Sequence, residues 1–276
     1  MNFAFVTCVQ IGLSCIEKVY DTGGGFKLFI TLKDEKAKKK SGRIYLDELA
    51  SEKNVPLLKI NHINDREVIE ALREHEIDWL FIIGWSQIAG KEVIETPKKG
   101  AIGAHPTLLP VGRGRAAIPW AIIKGHDKTG VSFFVMDEGV DTGPLLGQEV
   151  LQIGAKETAQ TLYDRVNTAH EDLIGNIWTD LKNDIIVPQV QDDSKATYWE
   201  GRKPEDGELK LSDDINYVDR LVRATTKPYP GAFILINGRK LIIWEGEICE
   251  KPSDNENSKV LKFKNGFYSI ITSEFA

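Results

Sequence analysis

The sequence predicts an α/β fold in which a doubly wound, mostly parallel sheet is followed by a small β-rich subdomain. Strand-like apolar runs alternate with amphipathic helical patterns over the first two thirds of the chain, the order that places helices on both faces of a parallel sheet. Near the end, Asn-Gly pairs separate short apolar runs, which is typical of tight hairpins. With 276 residues, 42% of them hydrophobic, the chain can bury the core of one large domain and a smaller one.

The alternation is clearest in the first part of the chain. Apolar runs predict strands at residues 3–7, 26–32, 56–60, 79–83, 101–104, 130–136 and 145–153. Apolar residues at helical spacing predict helices at residues 11–20, 46–53, 65–75, 116–124 and 158–181, the last capped by Thr158. Because each helix can cover a face of the sheet, we predict a Rossmann-like domain over residues 1–183.

A polar, charged stretch predicts a break after this domain. We place a linker at residues 184–212 and a small α+β subdomain at residues 213–276, which begins with a helix that ends near residue 225. Ser212 is the predicted N-cap of that helix. Asn237-Gly238 and Asn265-Gly266 each lie between apolar runs, and both residue types tolerate positive φ, so two β-hairpins are expected.

Charge and cysteine content narrow the classes of function. The chain has a net charge of −6 and a pI near 5.5. It therefore does not present the overall positive potential that attracts nucleic acids, and a nucleic-acid partner is disfavoured. Cys8, Cys15 and Cys249 have no metal-ligand spacing and are expected to be buried thiols in a reducing cytoplasm. The apolar start of the chain lacks the basic flank of a signal peptide, and no apolar run reaches the length of a membrane span. We therefore predict a cytoplasmic protein.

Residues that bear chemistry concentrate in residues 103–115 and 137–143. The first stretch reads Gly-Ala-His-Pro-Thr-Leu-Leu-Pro-Val-Gly-Arg-Gly-Arg and the second reads Asp-Glu-Gly-Val-Asp-Thr-Gly. His105 ends the predicted strand at residues 101–104 because the following proline forces the chain out of regular structure. Asp141 follows the next strand. Since ligand crevices of open parallel sheets lie at the carboxyl ends of strands, we expect His105 and Asp141 to form a couple.

These motifs resemble those of the folate-dependent formyltransferase family, over about residues 3–148. The family includes enzymes that formylate glycinamide ribonucleotide, methionyl-tRNA or nucleotide-linked amino sugars. A tRNA enzyme is expected to carry a longer and more basic C-terminal barrel. The segments after the core are most similar to the nucleotide-linked amino-sugar N-formyltransferases; these segments are Tyr198-Trp199, Arg202, Pro204-Glu205-Asp206-Gly207 and Pro228-Tyr229-Pro230-Gly231-Ala232-Phe233.

The resemblance implies a catalytic set of an Asn, a His two residues later and an Asp after the next strand. His105 and Asp141 match the last two positions, whereas Gly103 stands at the position of the Asn. The Asn amide would hold the formyl oxygen as negative charge builds on it, and such a donor is worth roughly 10²- to 10³-fold in turnover. A backbone N–H or an ordered water would have to replace it. His105 would polarise the formyl oxygen or shuttle a proton, and Asp141 would orient the imidazole.

The same resemblance implies N10-formyltetrahydrofolate as the formyl donor and no metal. The pterin is expected against the loop after the fourth strand, with Gln87 and Ala89 as backbone contacts and Trp85 as a wall. Gly139 and Val140, in the turn that carries the catalytic aspartate, would complete this site.

An amino-sugar nucleotide also needs groups that bind its diphosphate. Gly12 and Ser14 open the first predicted helix, whose free N–H groups and dipole favour phosphate. Arg113 and Arg115 would clamp the diphosphate or the sugar, because guanidinium groups match phosphate oxygens. Tyr229 would stack on the base. Each group also has a purely structural alternative. Gly12 and Ser14 could simply cap the helix, the two arginines could form surface salt bridges, and Tyr229 could pack the subdomain against the core.

The predicted function is transfer of a formyl group to the amine of a UDP- or dTDP-linked 4-amino-4,6-dideoxyhexose, with a product that feeds polysaccharide biosynthesis. Related sugar enzymes are often dimers, so a homodimer is a further expectation, and no membrane partner is expected. The alternatives are a methionyl-tRNA formyltransferase, a non-catalytic folate- or nucleotide-binding homologue, and a hydrolase that deformylates the folate.

Overall fold

The computed structural model describes residues 1–37, 43–210, 212–250 and 259–263. The strands, in chain order, are β1 (Phe3–Val6), β2 (Leu28–Leu32), β3 (Leu57–Ile60), β4 (Trp79–Ile82), β5 (Gly100–His105), β6 (Arg113–Gly114), β7 (Lys128–Val135), β8 (Leu145–Gln152), β9 (Tyr198–Trp199), β10 (Ala232–Ile236), β11 (Arg239–Ile243), β12 (Gly246–Glu250) and β13 (Lys259–Phe263). The helices are α1 (Gln10–Asp21), α2 (Asp34–Ala37), α3 (Asp47–Lys53), α4 (Arg66–Glu74), α5 (Lys91–Glu95), α6 (Ala117–Ile123), α7 (Ala159–Asn183) and α8 (Ile215–Thr225). The short helices α2 and α5 are not among the predicted elements.

Seven strands form one central sheet in the order β3-β2-β1-β4-β5-β7-β8. β1 to β5 run parallel, and β7 runs antiparallel to β5. β1, β2 and β4 are buried along their whole length, as expected for strands of a parallel sheet that is covered on both faces. The doubly wound, mostly parallel α/β architecture is therefore confirmed.

Helix patterning follows the sequence, with one difference in capping. α4 buries Val68, Ile69 and Leu72, which share one face of an amphipathic helix. α8 begins after Asp214, whose carboxylate accepts two backbone N–H groups of the first turn at 3.0 Å each. The N-cap is therefore Asp214 and not Ser212, since this carboxylate satisfies two of the N–H groups that have no partner within the helix.

The predicted hairpin at Asn237-Gly238 joins β10 to β11. Asn237 has a φ of 50° and Gly238 a φ of 74°, and positive φ at both turn positions is what the Asn-Gly pair predicts. The second predicted turn, Asn265-Gly266, lies outside the described residues. β13, which precedes it, pairs antiparallel with β12.

Two compact units divide the chain, and each is discontinuous in sequence. The first comprises Met1–Arg113, Gly130–Val150 and Val166–Thr197, and the second comprises Gly114–Thr129, Leu151–Arg165 and Tyr198–Ala276. The central sheet belongs mainly to the first unit, and α6, α8 and the β10–β11 hairpin belong to the second. The domain boundaries at residues 183 and 212 stay a prediction; part of the predicted linker, up to residue 197, belongs to the first unit.

The sequence predicts buried cysteine thiols and no membrane-spanning segment. Cys8 and Cys15 are buried, as predicted. The side chain of Cys249 lies outside the described part of the chain. Within the described ranges, no helix combines the length and the apolar character that crossing a membrane requires.

Candidate active site

His105 and Asp141 come together in the first unit. His105 is the last residue of β5 and is only 7% exposed. Its Nδ1 lies 3.5 Å from Oδ2 of Asp141, and its Nε2 lies 2.8 Å from the carbonyl oxygen of Gly112. The structure thus brings the two predicted residues together as a contact between a buried imidazole and a carboxylate.

The partners of the imidazole determine which nitrogen faces the carboxylate. A carbonyl oxygen can only accept, so Nε2 of His105 must donate its proton to Gly112. Nδ1 is then the nitrogen beside Asp141, and a second proton on the ring would point at a carboxylate. The ring therefore needs no rotation to present Nδ1 to the carboxylate.

The turn at residues 137–143 carries Asp141 to the imidazole. Because β7 is antiparallel to β5, the two side chains do not follow parallel strands at a shared edge, which is the arrangement that the sequence predicted. A closed turn brings them together instead. Oδ1 of Asp137 accepts hydrogen bonds from the Gly139 N–H at 3.1 Å and from the Thr142 hydroxyl at 2.6 Å. Asp141 itself has a φ of 56°, in the left-handed region.

A glutamine from beyond α7 holds this turn from its buried side. Gln191 is 7% exposed, and its Nε2 donates to the carbonyl oxygens of Asp141 at 2.9 Å and Gly143 at 2.7 Å. Sequence reasoning missed this residue. It lies 50 positions after Asp141, inside the predicted linker, and the charged residues that follow it give no sign that it is buried.

Arg113, predicted to bind a diphosphate, is buried instead, at 2% exposure. Its Nη2 donates to Oε1 of Gln191 at 2.8 Å and to Oδ1 of Asp193 at 2.7 Å, and its Nε donates to the same glutamine oxygen at 3.3 Å. A buried guanidinium is stable only when it is paired and hydrogen-bonded, and these two side chains supply such partners. The structure therefore does not support the predicted contact between Arg113 and a diphosphate.

Polar side chains of two neighbouring strands hold the loop after β5. Ser132 of β7 accepts the Leu109 N–H at 3.1 Å and donates its hydroxyl to the Thr107 carbonyl at 2.7 Å. Gln148 of β8 donates to the Leu109 carbonyl at 2.9 Å and to the Ser132 hydroxyl oxygen at 2.7 Å. Because Ser132 is the register partner of His105, these bonds fix the backbone that follows the imidazole. Neither Ser132 nor Gln148 was predicted.

Gly103 lies on β5 two residues before His105, at the position where the resemblance implies an Asn. A Cβ atom here would lie 2.9 Å from Cζ of Phe134 and 3.1 Å from Cγ of Met136. Phe134 is the register partner of Gly103 on β7, and its ring fills the space that a side chain would need. This position therefore supplies no side-chain amide to a formyl oxygen.

The predicted pterin loop at residues 84–89 follows β4 and is braced by the side chain of Gln87. Oε1 of Gln87 accepts the Ile63 N–H at 2.8 Å, and its Nε2 donates to the Asn61 carbonyl at 3.0 Å. Both ends of this amide are used within the protein. A contact between Gln87 and a pterin would therefore come from its backbone, as the resemblance implies.

Apolar side chains flank this loop and the Asp141 turn. Ile88 is 82% exposed and Val140 is 59% exposed. Trp85 and Ala89 pack against the hydrophobic core, and the indole N–H of Trp85 is buried without a hydrogen-bond partner. Gly139 has no room for a side chain, since a Cβ atom there would lie 2.0 Å from a hydroxyl oxygen of the same turn. Exposed apolar side chains, next to a loop whose backbone is held by hydrogen bonds, suit the binding of a planar ring.

The predicted phosphate-binding residues lie at the uncapped start of α1. Its N-cap, Val9, makes no side-chain hydrogen bond to the helix, and the first turn has no acidic residue. Gly12 packs directly on the end of β1, because a Cβ atom there would lie 2.0 Å from Oγ1 of Thr7. The hydroxyl of Ser14 accepts a hydrogen bond from Gln10 at 3.3 Å. β1, β4 and β5 run parallel, so this helix start lies at the same sheet edge as the end of β5.

Arg115 and Tyr229, the remaining predicted residues, belong to the second unit. The side chain of Arg115 is exposed, and its backbone N–H donates to the Trp199 carbonyl at 3.0 Å. Burial, reinforced by the nearby Tyr163, raises the pKa of Tyr229 to about 12. Tyr229 is thus a neutral, packed tyrosine, and Arg115 is an exposed cation.

Comparison with known proteins identifies the family to which the chain belongs. A formyl transferase model matches residues 24–176, and a model of the formyl transferase C-terminal domain matches residues 202–275. A methionyl-tRNA formyltransferase of Geobacter metallireducens is 32% identical over 209 residues, which cover 75% of this chain and 67% of that protein.

Solved structures share the fold. A sugar N-formyltransferase of a Shewanella species superposes with a TM-score of 0.71 at 22% identity, over 88% of this chain and 96% of its own. The N-formyltransferase of Helicobacter canadensis, solved with folinic acid and dTDP-3-aminofucose, gives a TM-score of 0.70 at 16% identity over 99% of both chains. The family model covers more than half of the sequence. The chain belongs to the formyl transferase family.

Proposed function

We propose that the chain is an N10-formyltetrahydrofolate-dependent N-formyltransferase that acts on the amine of a nucleotide-linked amino sugar, of the UDP- or dTDP-4-amino-4,6-dideoxyhexose type. The observation that carries the reaction is the contact between Nδ1 of His105 and the Asp141 carboxylate at 3.5 Å. β4 and β5 are parallel neighbours, so the braced loop at residues 84–89 lies at the same sheet edge as His105.

Formyl transfer needs a group that accepts one proton and returns it. A bond forms between the acceptor nitrogen and the formyl carbon, the bond between that carbon and the donor nitrogen breaks, and one proton passes from the acceptor to the donor nitrogen. Nδ1 of His105 takes this proton and gives it back while Nε2 stays bonded to Gly112. Asp141 orients the ring and stabilises its charged form between the two transfers.

The formyl oxygen gains negative charge during the same step. Gly103 has no side-chain amide to offer, and the Phe134 ring occupies the space beside it. We assign stabilisation of this oxygen to a backbone N–H or an ordered water. Buried donors of this kind, aimed at a developing charge, are among the largest contributions to catalysis.

The residues present fit a pterin ring as the carrier of the formyl carbon. Ile88 and Val140 are exposed apolar walls, and Gln87 and Ala89 lie on a loop whose side-chain hydrogen bonds leave the backbone to read the ring. Gly139 keeps the turn narrow enough for a flat ligand to approach its main chain.

Charge favours a nucleotide sugar over a tRNA as the acceptor. The whole chain carries −6, and residues 198–276 contain twelve Lys or Arg against thirteen Asp or Glu. Neutralising a tRNA backbone requires an excess of positive charge. A sugar diphosphate requires only one local anion site. We propose two separate candidates for it: the uncapped start of α1, near Gly12 and Ser14 in the first unit, or the exposed Arg115 in the second unit.

The test is direct transfer with several acceptors. Purified protein would be incubated with N10-formyltetrahydrofolate and UDP-, dTDP- or GDP-linked amino sugars, and in parallel with methionyl-tRNA, and the products identified by mass spectrometry. We expect one sugar nucleotide to gain a formyl group, and His105→Gln to abolish the gain. Release of free formate without any acceptor product would indicate a hydrolase and contradict the proposal.

A second candidate is methionyl-tRNA formyltransferase activity. The observation that favours it is the 32% identity to the Geobacter metallireducens protein of that name. In the same experiment, formylation of methionyl-tRNA with no formylated sugar would establish this candidate and overturn the first.

A further inference from the structure

A chain of hydrogen bonds connects the buried Arg113 guanidinium to the turn that carries Asp141. Arg113 donates from Nη2 and Nε to Oε1 of Gln191, and Nε2 of Gln191 donates to the carbonyls of Asp141 and Gly143. A guanidinium only donates and a carbonyl only accepts, so the amide satisfies both sides in this orientation alone. Arg113 thereby fixes the direction in which Gln191 presents its two N–H bonds.

The turn depends on support of this kind. Asp141 has a φ of 56°, in the left-handed region that residues with a side chain adopt rarely, although Asp does so more readily than most. Gly143 is packed so tightly that a Cβ atom would lie 1.7 Å from the Val135 carbonyl. Both residues direct their carbonyl oxygens to the single NH₂ group of Gln191. An amide 50 residues away thus holds the backbone of the residue that carries the carboxylate.

We propose that Gln191, oriented by Arg113, is a positioning residue for formyl transfer: its amide holds the Asp141 carboxylate at Nδ1 of His105. This inference rests on the proposed function, in which that couple moves the proton. It also gives Arg113 a role other than diphosphate binding, because the guanidinium is 2% exposed and acts through Gln191.

The decisive variant is Gln191→Glu. The carboxylate has the shape of the amide and keeps an acceptor for Arg113, but it has no N–H for the two carbonyls, which would instead face an oxygen. Gln189→Glu is the matched control, since the Gln189 side chain is exposed and its hydrogen bonds to Leu145 come from the backbone. We expect Gln191→Glu to lower kcat at least tenfold with a change in KM for the acceptor below about threefold, and the control to leave both near the wild-type values.

Two further readouts separate positioning from a general loss of structure. In an Asp141→Asn background, Gln191→Glu should lower kcat by less than about twofold, because both changes act on one group. The His105 ring protons, assigned by their loss in His105→Gln, should shift in NMR spectra of Gln191→Glu as they do in Asp141→Asn. Full additivity of the two kcat effects, or ring signals at their wild-type positions in Gln191→Glu, would overturn the proposal.

The NMR measurement needs no acceptor, so it decides the positioning role even if no formyl transfer is found and the proposed function fails. Should Gln191→Glu not fold, Arg113→Lys gives the same test. A lysine keeps the charge but cannot donate from two nitrogens to the amide oxygen, so the amide loses its fixed direction. The same shift of the His105 signals is expected, and unchanged signals in a folded Arg113→Lys protein would overturn the proposal.

Discussion

The central sheet buries one histidine on each side of the β5–β7 pair, and the two differ in what their rings meet. His105 ends β5, with Nδ1 at 3.5 Å from a carboxylate. His170 lies on α7, donates from Nδ1 to the Val166 carbonyl at 2.7 Å, and packs against the Phe133 ring with centroids 5.9 Å apart. Phe133 and Phe134 are consecutive strand residues and point to opposite faces, so His170 packs on the face opposite the one that carries Phe134, Ser132 and His105.

The difference between these histidines shows that burial alone does not make a functional imidazole. His170 is 3% exposed and His105 is 7% exposed, so solvent access does not separate them. Burial lowers the pKa of His170 to about 4; the hydrogen bond to Val166 opposes this shift, and the charge of His105 adds to it. In the described contacts, the His170 ring meets a carbonyl and an aromatic ring but no carboxylate. His105 has such a partner, and the four predictions below test this contrast.

Replacing His105 should have the largest effect. His105→Gln keeps a polar side chain of similar length but removes the group that exchanges the proton, so kcat should fall about 10²- to 10⁴-fold. Binding of the folate, measured by titration calorimetry with 5-formyltetrahydrofolate, should change little. His170→Gln is the matched control on the other face and should keep kcat within about threefold of wild type. Equal losses in the two variants would contradict the contrast.

Asp141→Asn should have the next largest effect. The amide keeps the size of the side chain but loses the negative charge that stabilises a proton on Nδ1, and we expect kcat to fall about 10²- to 10³-fold. Asp137→Asn is the comparison variant, because Asp137 lies in the same turn but accepts hydrogen bonds only from the turn itself in the described contacts. Steady-state kinetics that give equal kcat losses for both would show that the charge of Asp141 is not special.

The fold was largely predictable because its signals are local. The alternation of apolar strands and amphipathic helices predicted the sheet, and Asn237-Gly238 predicted a turn that needs positive φ at two successive positions. What the periodicity could not predict is strand direction. β7 is antiparallel to β5, and a buried run of apolar residues looks the same in either direction. The cap of α8 was misplaced because Ser212 and Asp214 are both good capping residues two positions apart.

The site residues fall into two groups: some stand in local sequence motifs, and others owe their roles to contacts with distant residues. His105, Asp141 and the glycine at residue 103 stand in recognisable motifs. Gln191 does not, because its role arises from contacts across 50 residues of sequence. Arg113 lies in the motif, yet the sequence could not show whether its guanidinium faces a ligand or the interior. Contacts between distant residues, and not residue types, determine these roles.

The Phe134 ring beside Gly103 gives a prediction on the His105 face. Gly103→Ala places a Cβ atom 2.9 Å from Cζ of Phe134, and overpacking of this kind costs about 1–3 kcal/mol. Gly154→Ala is the control, since a Cβ atom there would meet nothing within 4 Å. We expect a lower Tm for Gly103→Ala only, with recovery in the double variant Gly103→Ala, Phe134→Leu. A double variant no more stable than Gly103→Ala would show that Phe134 is not the obstacle.

The smallest effect on turnover, and the clearest effect of pH, should come from His170. The unfolded ring takes up a proton near pH 6.5 and the folded ring only near pH 4, so the unfolded state binds more protons between these values. The free energy of unfolding should therefore fall as the pH decreases through this range, by about 3 kcal/mol in total. His170→Gln removes this contribution, and urea unfolding at pH 7 and pH 4.5 measures it. His75→Gln is the control, because His75 also meets the carbonyl four residues earlier, at 3.0 Å, but is only half-buried. Acid sensitivity that persists unchanged in His170→Gln would mean that burial of this ring is not its cause.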